Sequence, residues 1–254
     1  SIESDILIIY FKSATDKPLI LYSVIKMRMR KKKYLDERLS AVSDILFISD
    51  IEDRNFTTAA QKKEYIDFDQ WFKRTAPYML EIGCGKGGFA AEFARRNPNI
   101  NLIAVEKDAN VIVSACEKIK SEGITNVRFM KCSAEYLPKY IKPRGIERIF
   151  LNFSCPFPKN KYATHRLTHP RFLRIYKELM SDGAEIHQKT DNPRFFEFSI
   201  ESLTGNGFAL KNVSLDLHNS GFPDNIETEY ERKFVSQGLP IYRLEAYTAG
   251  GNKE

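Results

Sequence analysis

The chain has 254 residues, 43% of them hydrophobic and 28% charged, with a formal net charge of +6. That length suits one well-buried domain with little left for a second, and the mild positive charge favours anionic partners. No apolar run approaches the ~20 residues that cross a bilayer, and the early run Ile6–Phe11 is shorter than the ~7–15-residue core of a secretion signal. Four cysteines, at 84, 116, 132 and 155, form no CxxC or CxxxC pair, so neither a zinc site nor a disulfide framework is expected and free thiols in a reducing cytoplasm fit.

Residues 1–26 differ from the rest: an apolar segment, a polar SATDK break, then LILYSVI. Met27-Arg-Met-Arg reads as a natural start, so 1–26 is expected to be an extension of no assigned role. The run KMRMRKKK at 26–33 holds six Lys or Arg among eight positions. Residues 27–77 read as an N-terminal arm with short helical patterns and loops, and 78–254 as the main domain.

From Tyr78 the pattern is regular. Tyr78–Ile82 reads as a buried strand stopped by glycines, and Gly87–Arg96 as a helix ending at Asn97-Pro98. Leu102–Val105 is a strand closed by Glu106, and Ala109–Lys120 an amphipathic helix ending near Gly123. Val127–Met130 and Ile146–Leu151 are further strands. Thr168–Met180 is a helix stopped by Ser181-Asp182-Gly183, and Ala184–Lys189 is a strand. Pro193 opens a helix that ends at Gly205-Asn206-Gly207. Ala209–Leu217 and Ile241–Tyr247 alternate like half-buried strands. Strands alternating with helices predict a mostly parallel α/β sheet. The last two strands have no helical pattern between them, so one is expected to be antiparallel.

The first strand runs into Glu81-Ile-Gly-Cys-Gly-Lys-Gly-Gly, which satisfies GxGxxG. Glycines let the backbone approach a ligand, and the following helix offers free N–H groups; alone, the pattern marks many nucleotide binders. Two acids narrow it. Glu81, just ahead of Gly83 and Gly85, would repel a pyrophosphate but suits the ammonium of a methionine moiety. Glu106, 18 residues past Gly88, can take a ribose diol. This favours S-adenosylmethionine over NAD. Three later strand ends, at Cys132-Ser133-Ala134, NFSCPFPK (152–159) and Lys189-Thr190-Asp191-Asn192, fall where such folds hold ligands.

The NFSCPFPK loop is rigid, because Pro156 and Pro158 fix φ and lack N–H groups, and it carries one aromatic ring, Phe157, between them. It begins a stretch, Arg148 to Lys177, with seven Lys or Arg, two His and no acid, the composition of a surface that meets phosphates.

EIGCGKGGF, NFSCPFPK followed by HRLTHPRFL, KTDNPRFFEFS and TEYERKF, in that order, resemble the bacterial tRNA (guanine-N7-)-methyltransferases over roughly Met27 to Tyr247. The resemblance implies a class I, Rossmann-like methyltransferase sheet of seven strands, S-adenosylmethionine as methyl donor and N7 of guanosine 46 in the tRNA variable loop as acceptor. It implies cofactor contacts at Glu81, Glu106, Ser133 and Cys155 beside the glycine turn. It implies substrate contacts at Lys159, Asp191, Thr228 and Glu231, and an RNA-contacting segment from Lys161 to Arg166 that includes His165. The family has Asp where this chain has Ser133 and Cys155, and Trp where it has Phe157. Cys155 holds the position of a proposed catalytic residue. His165, His169, His187 and His218 show no ligand spacing and are expected at the surface or on RNA, with no metal; the assembly expected is a monomer or homodimer. Two rival readings are a small-molecule methyltransferase and an RNA-binding protein whose catalysis is weakened or lost through Cys155.

Overall fold

The computed structural model describes residues 31–49 and 62–248, with the backbone alone of 10–11 and 19–20. The chain divides into two units, residues 1–33 and 34–254. In the first, Tyr10–Phe11 and Leu19–Ile20 pair antiparallel; the rest of the expected extension and most of the basic run lie outside the described residues.

The second unit is built on an eight-stranded sheet. In chain order its strands are β1 Leu46–Ile48, β2 Tyr78–Ile82, β3 Asn101–Val105, β4 Val127–Lys131, β5 Ile146–Asn152, β6 Met180–Thr190, β7 Phe208–Ser214 and β8 Tyr242–Thr248. Their spatial order is β1-β4-β3-β2-β5-β6-β8-β7. β1 through β6 pair in parallel, and β8 runs antiparallel to both of its neighbours.

The central strands alternate between two cores. Leu80, Ile82, Ile103, Val105, Ile149 and Leu151 face one cluster, which Phe172, Leu173 and Tyr176 complete. Met79, Leu102, Ala104 and Phe150 face the other, packed on Phe89, Phe93, Ile112 and Ile119. A parallel strand covered by helices on both faces reads as a near-continuous apolar run, and β3 is buried throughout, apolar from Leu102 to Val105. Each fully buried Leu, Ile or Phe contributes about 1.5–3 kcal/mol.

Helices start where the sequence supplies caps. They are α1 Leu35–Ser40, α2 Phe68–Phe72, α3 Gly88–Arg96, α4 Ala109–Ser121, α5 Leu137–Tyr140, α6 Pro170–Leu179, α7 Pro193–Gly205 and α8 Glu229–Val235. The Asp108 carboxylate accepts from the Asn110 amide at 2.8 Å, and the Asn192 side chain from Phe195 at 2.9 Å. Pro170 and Pro193 sit in first turns, where a missing N–H costs nothing. Arg38 reaches from α1 to the Glu117 carboxylate on α4 at 2.7 and 2.6 Å.

Three expectations change. The eighth strand, β1, comes from the arm read as helix and loop, and pairs Leu46–Ile48 with Phe129–Lys131. β6 starts at Met180 rather than Ala184. Ser181-Asp182-Gly183, read as a helix stop, is a strand irregularity, with Gly183 at φ +75° and a register shift opposite Ile146 and Arg148. The last two strands do have a helix between them, α8, too short to show a helical period beyond its cap. Among the described residues no helix is long and apolar enough to cross a membrane.

Candidate active site

The parallel strands end along one edge, and the glycine turn lies at its centre. The amides of Gly83 and Cys84 donate to the Val105 carbonyl at 2.8 and 3.0 Å, so the turn is tied to the neighbouring strand end. Gly87, at φ +75°, packs so closely on α4 that a Cβ would stand 2.9 Å from that of Ala115. Gly83 and Gly85 differ: a Cβ on either would meet nothing within 4 Å. The turn is thus anchored below and open above.

Glu81 lies at the floor, 2% exposed. Asn152, at the end of β5, donates to its Oε1 at 3.3 Å, while its Oε2 is buried with no hydrogen-bond partner. Burial raises the carboxyl pKa to about 7; Asn152 and the Lys189 charge oppose the rise, and the Glu106 charge adds to it. A buried carboxylate with one unsatisfied oxygen is costly on its own and marks a place for a cationic donor. Glu106, beyond β3, is half-buried, and its Oε1 accepts from the amides of Lys107 and Asp108 at 2.8 and 3.1 Å, which fixes the carboxylate's orientation.

Ser133, beyond β4, donates its hydroxyl to Glu135, which Arg171 of α6 also engages. With its proton so directed, the Ser133 oxygen is left to accept. The NFSCPFPK loop departs from β5 with Phe153 at φ +51° and its amide on the Lys189 carbonyl at 2.8 Å. Cys155 is an exposed free thiol. Phe157 is half-buried at φ +43°, its ring centroid 5.5 Å from that of His165. Lys159, Lys161 and His165 are exposed, and the Lys161 ammonium stands 5.1 Å from the Tyr162 ring.

Arg166, expected on RNA, is turned inward. It is 9% exposed, and its guanidinium donates to the carbonyls of Pro156 and Phe157 at 3.0 Å each while lying 4.4 Å from the Phe198 ring. Other cations of the acid-free stretch, though more exposed, also bond within the protein. Arg148 pairs with Glu185 at 3.3 Å, Arg171 with Glu135, and Lys177 donates to the Asn206 carbonyl.

Asp191, past the end of β6, is half-buried, and burial raises its carboxyl pKa. Thr228 and Glu231 are placed otherwise than expected. They form a capping box at the start of α8: the Glu231 amide donates to the Thr228 hydroxyl at 3.0 Å, and Glu231 Oε2 accepts the Thr228 amide. Glu231 is 0% exposed. Lys189 donates to its Oε2 at 2.6 Å, and Asn225 and His218 to its Oε1 at 2.5 and 3.1 Å. Both oxygens are occupied inside the protein.

Two of the four histidines are half-buried and paired within the protein. His218 belongs to the Glu231 network. His187 lies between Glu185, at 2.7 Å, and Glu245, at 3.8 Å, and burial lowers its pKa. Glu185, His187 and Glu245 stand close enough to share a cation. Lys211 and Arg148 already bond the first of these acids and Arg243 the second, so their charge is compensated.

Sequence reasoning passed over Asn152 and Lys189, which join the glycine turn, the proline loop and α8. Their only signal was position, each standing opposite the other at a strand's carboxyl end.

Comparison with known proteins bears on this geometry. A family model described as a putative methyltransferase matches residues 75–244. A tRNA (guanine-N(7)-)-methyltransferase of Macrococcus caseolyticus (strain JCSC5402) is 41% identical over 220 residues, 87% of this chain and 99% of the relative. One of Clostridioides difficile (strain 630) is 39% identical over 220 residues, 87% of this chain and 98% of the relative. Among solved structures, the 16S rRNA methyltransferase KamB superposes with a TM-score of 0.53 at 18% identity, covering 73% of this chain and 95% of that one, a likeness of fold.

Proposed function

The chain belongs to the tRNA (guanine-N7-)-methyltransferase family, and from that premise we propose that it methylates N7 of guanosine 46 in tRNA with S-adenosylmethionine as donor. The observation that carries the donor's identity is Glu81: a buried carboxylate with an unpaired oxygen beneath an open glycine turn. That site suits an α-ammonium, which would satisfy Oε2, and disfavours a pyrophosphate. Glu106, oriented by two amides, would accept from a ribose diol, and Ser133 from an adenine amine. The bound donor supplies an electrophilic methyl group.

Guanine N7 carries an in-plane lone pair and no proton, so no general base is required of the protein. The residues align the acceptor, and alignment alone supplies ~7–11 kcal/mol in well-oriented cases. Asp191 is the carboxylate left to accept from the guanine N1–H and amino group, Phe157 the ring on which a purine would stack for ~1–3 kcal/mol, and Lys159 the exposed cation for a neighbouring phosphate. A base held in folded tRNA must be drawn out, at a cost of a few kcal/mol. The cytoplasm is the compartment that goes with this substrate.

The test is methyl transfer from labelled donor to unmodified tRNA, with nucleoside analysis of the product. N7-methylguanosine at position 46 is expected. Glu106→Ala should weaken donor binding roughly ten- to hundredfold, the worth of a charge-assisted hydrogen bond, and NAD should not bind. An unmethylated tRNA that is still tightly bound would instead favour a binding protein that has lost catalysis with Cys155.

A further inference from the structure

The resemblance assigns Arg166 to RNA, yet the fold buries it against the loop that carries Phe157. We infer that Arg166 is a positioning residue whose guanidinium locks the Pro156–Phe157 backbone and so fixes the Phe157 ring for stacking on the base. The inference rests on the reading of the loop as part of the substrate site.

The guanidinium is planar and presents a fork of donors. Here Nε donates to the Pro156 carbonyl at 3.0 Å and Nη2 to the Phe157 carbonyl at 3.0 Å. Phe198, on α7, lies against the same group, 4.4 Å away. Two successive carbonyls are therefore gripped from one side by a group that is itself stacked on a helix. What they flank needs a grip: Phe157 sits at φ +43°, a conformation that an aromatic residue keeps only when its surroundings impose it. The flanking prolines fix φ at 156 and 158, and Pro158 favours an extended, negative φ at Phe157, so neither imposes the left-handed conformation. His165, next to Arg166 in the chain, packs its ring against Phe157, the centroids 5.5 Å apart. The loop and its clamp thus form one local unit, closed by Arg166 and supported by α7.

A lysine at 166 keeps the charge but not the fork, which separates positioning from a phosphate contact. Phe157→Trp in a Trp71→Phe background introduces a single indole into a chain whose one tryptophan is Trp71, and its fluorescence anisotropy reads ring mobility without tRNA. In that background and in the native chain, Arg166→Lys and Arg166→Gln would be compared for anisotropy, donor affinity, the salt dependence of tRNA binding and single-turnover methyl transfer. Both are expected to lower the anisotropy and to slow transfer about tenfold or more at saturating tRNA. Donor affinity and salt slope should stay unchanged. Full activity of Arg166→Lys, together with a slope reduced by about 0.7–0.9 in Arg166→Gln, would make Arg166 a phosphate contact and overturn the inference. Unchanged anisotropy would overturn it as well. If Arg166 variants fail to fold, Phe198→Leu withdraws the supporting ring alone, and the indole should again loosen. A native protein inert on tRNA would end the tRNA reading, while the anisotropy would still decide the clamp.

Discussion

At the end of β2, Glu81 is buried with one oxygen bonded by a neutral amide and the other unpaired; at the start of α8, Glu231 is buried with both oxygens bonded, one of them by the Lys189 ammonium at 2.6 Å. The two carboxylates belong to one connected region, since Lys189 stands opposite Asn152 across β5 and β6. They are nonetheless differently placed. The saturated acid holds the 217–235 segment to the sheet, and the unsaturated one keeps an oxygen without a donor. The C-terminal strands repeat the saturated pattern, with Arg243 and Asn212 on Glu245 and with Lys211, His187 and Arg148 around Glu185. Burial alone therefore does not separate the two acids; the unpaired oxygen of Glu81 does.

The largest expected effect tests the scaffold side. Glu231→Ala strips the partner from an ammonium that is itself buried, and breaking one member of a buried pair costs about 3–5 kcal/mol. The lost cap adds to this. Lys189→Met should cost nearly as much, and the double variant Lys189→Met with Glu231→Leu should recover a large part, because no charge is then stranded. Urea unfolding of the three proteins measures it. If the single variants lose less than about 1 kcal/mol, Glu231 is not the scaffold acid, and the contrast with Glu81 collapses.

Next in size is the opposite behaviour at Glu81. Its carboxyl is raised from 4.5 to about 7 in the fold, so the folded state holds a proton that the unfolded chain releases. The stabilisation is fully present below about pH 4.5 and is lost as pH rises through about 7, amounting to about 3 kcal/mol between those limits. Glu81→Gln should accordingly raise the melting temperature of the ligand-free protein at pH 8, flatten its dependence between pH 5 and 8, and weaken S-adenosylmethionine binding by roughly tenfold or more. Thermal melts and calorimetry at both pH values check this. A Glu81→Gln protein that is less stable at pH 8 would mean that Oε2 has a partner after all.

What the sequence disclosed follows the same division. Strand ends, helix starts and the glycine turn were legible because each rests on local rules: a run of apolar residues, a cap, a glycine before a helix. Tyr78–Ile82 and Pro193–Gly205 fall within the expected bounds. Pairing across the chain was not legible. Glu231 lies 42 residues from Lys189; TEYE fits the T-x-x-E pattern of a capping box, but that pattern is silent on the Lys189 partner. Arg166 sits in a basic stretch that composition reads as surface, and only the folded loop shows two carbonyls awaiting its fork. The short strand Leu46–Ile48 has too few residues for an alternation to register.

The smallest expected effect concerns Cys155, which joins neither kind of acid. Its thiol is exposed and free, at a position where relatives of the resembled family carry Asp. If charge near the reacting atoms comes from carboxylates at the strand ends, Glu81 and Asp191 already provide it, while Glu231 is neutralised by Lys189 and drops out. N7 needs no proton removed, so the position owes the reaction at most some stabilisation of the forming purine cation. Cys155→Ala should then slow single-turnover methyl transfer less than tenfold, far below the ~10²–10⁴ lost with a general base. Cys155→Asp should match the native rate or exceed it modestly, since an exposed carboxylate acts through water-screened charge. Measured at saturating donor and tRNA, a drop of a hundredfold in Cys155→Ala would move the thiol into the catalytic machinery. An inert native protein that Cys155→Asp alone switches on would show that this position, and not Glu81 with Asp191, decides activity.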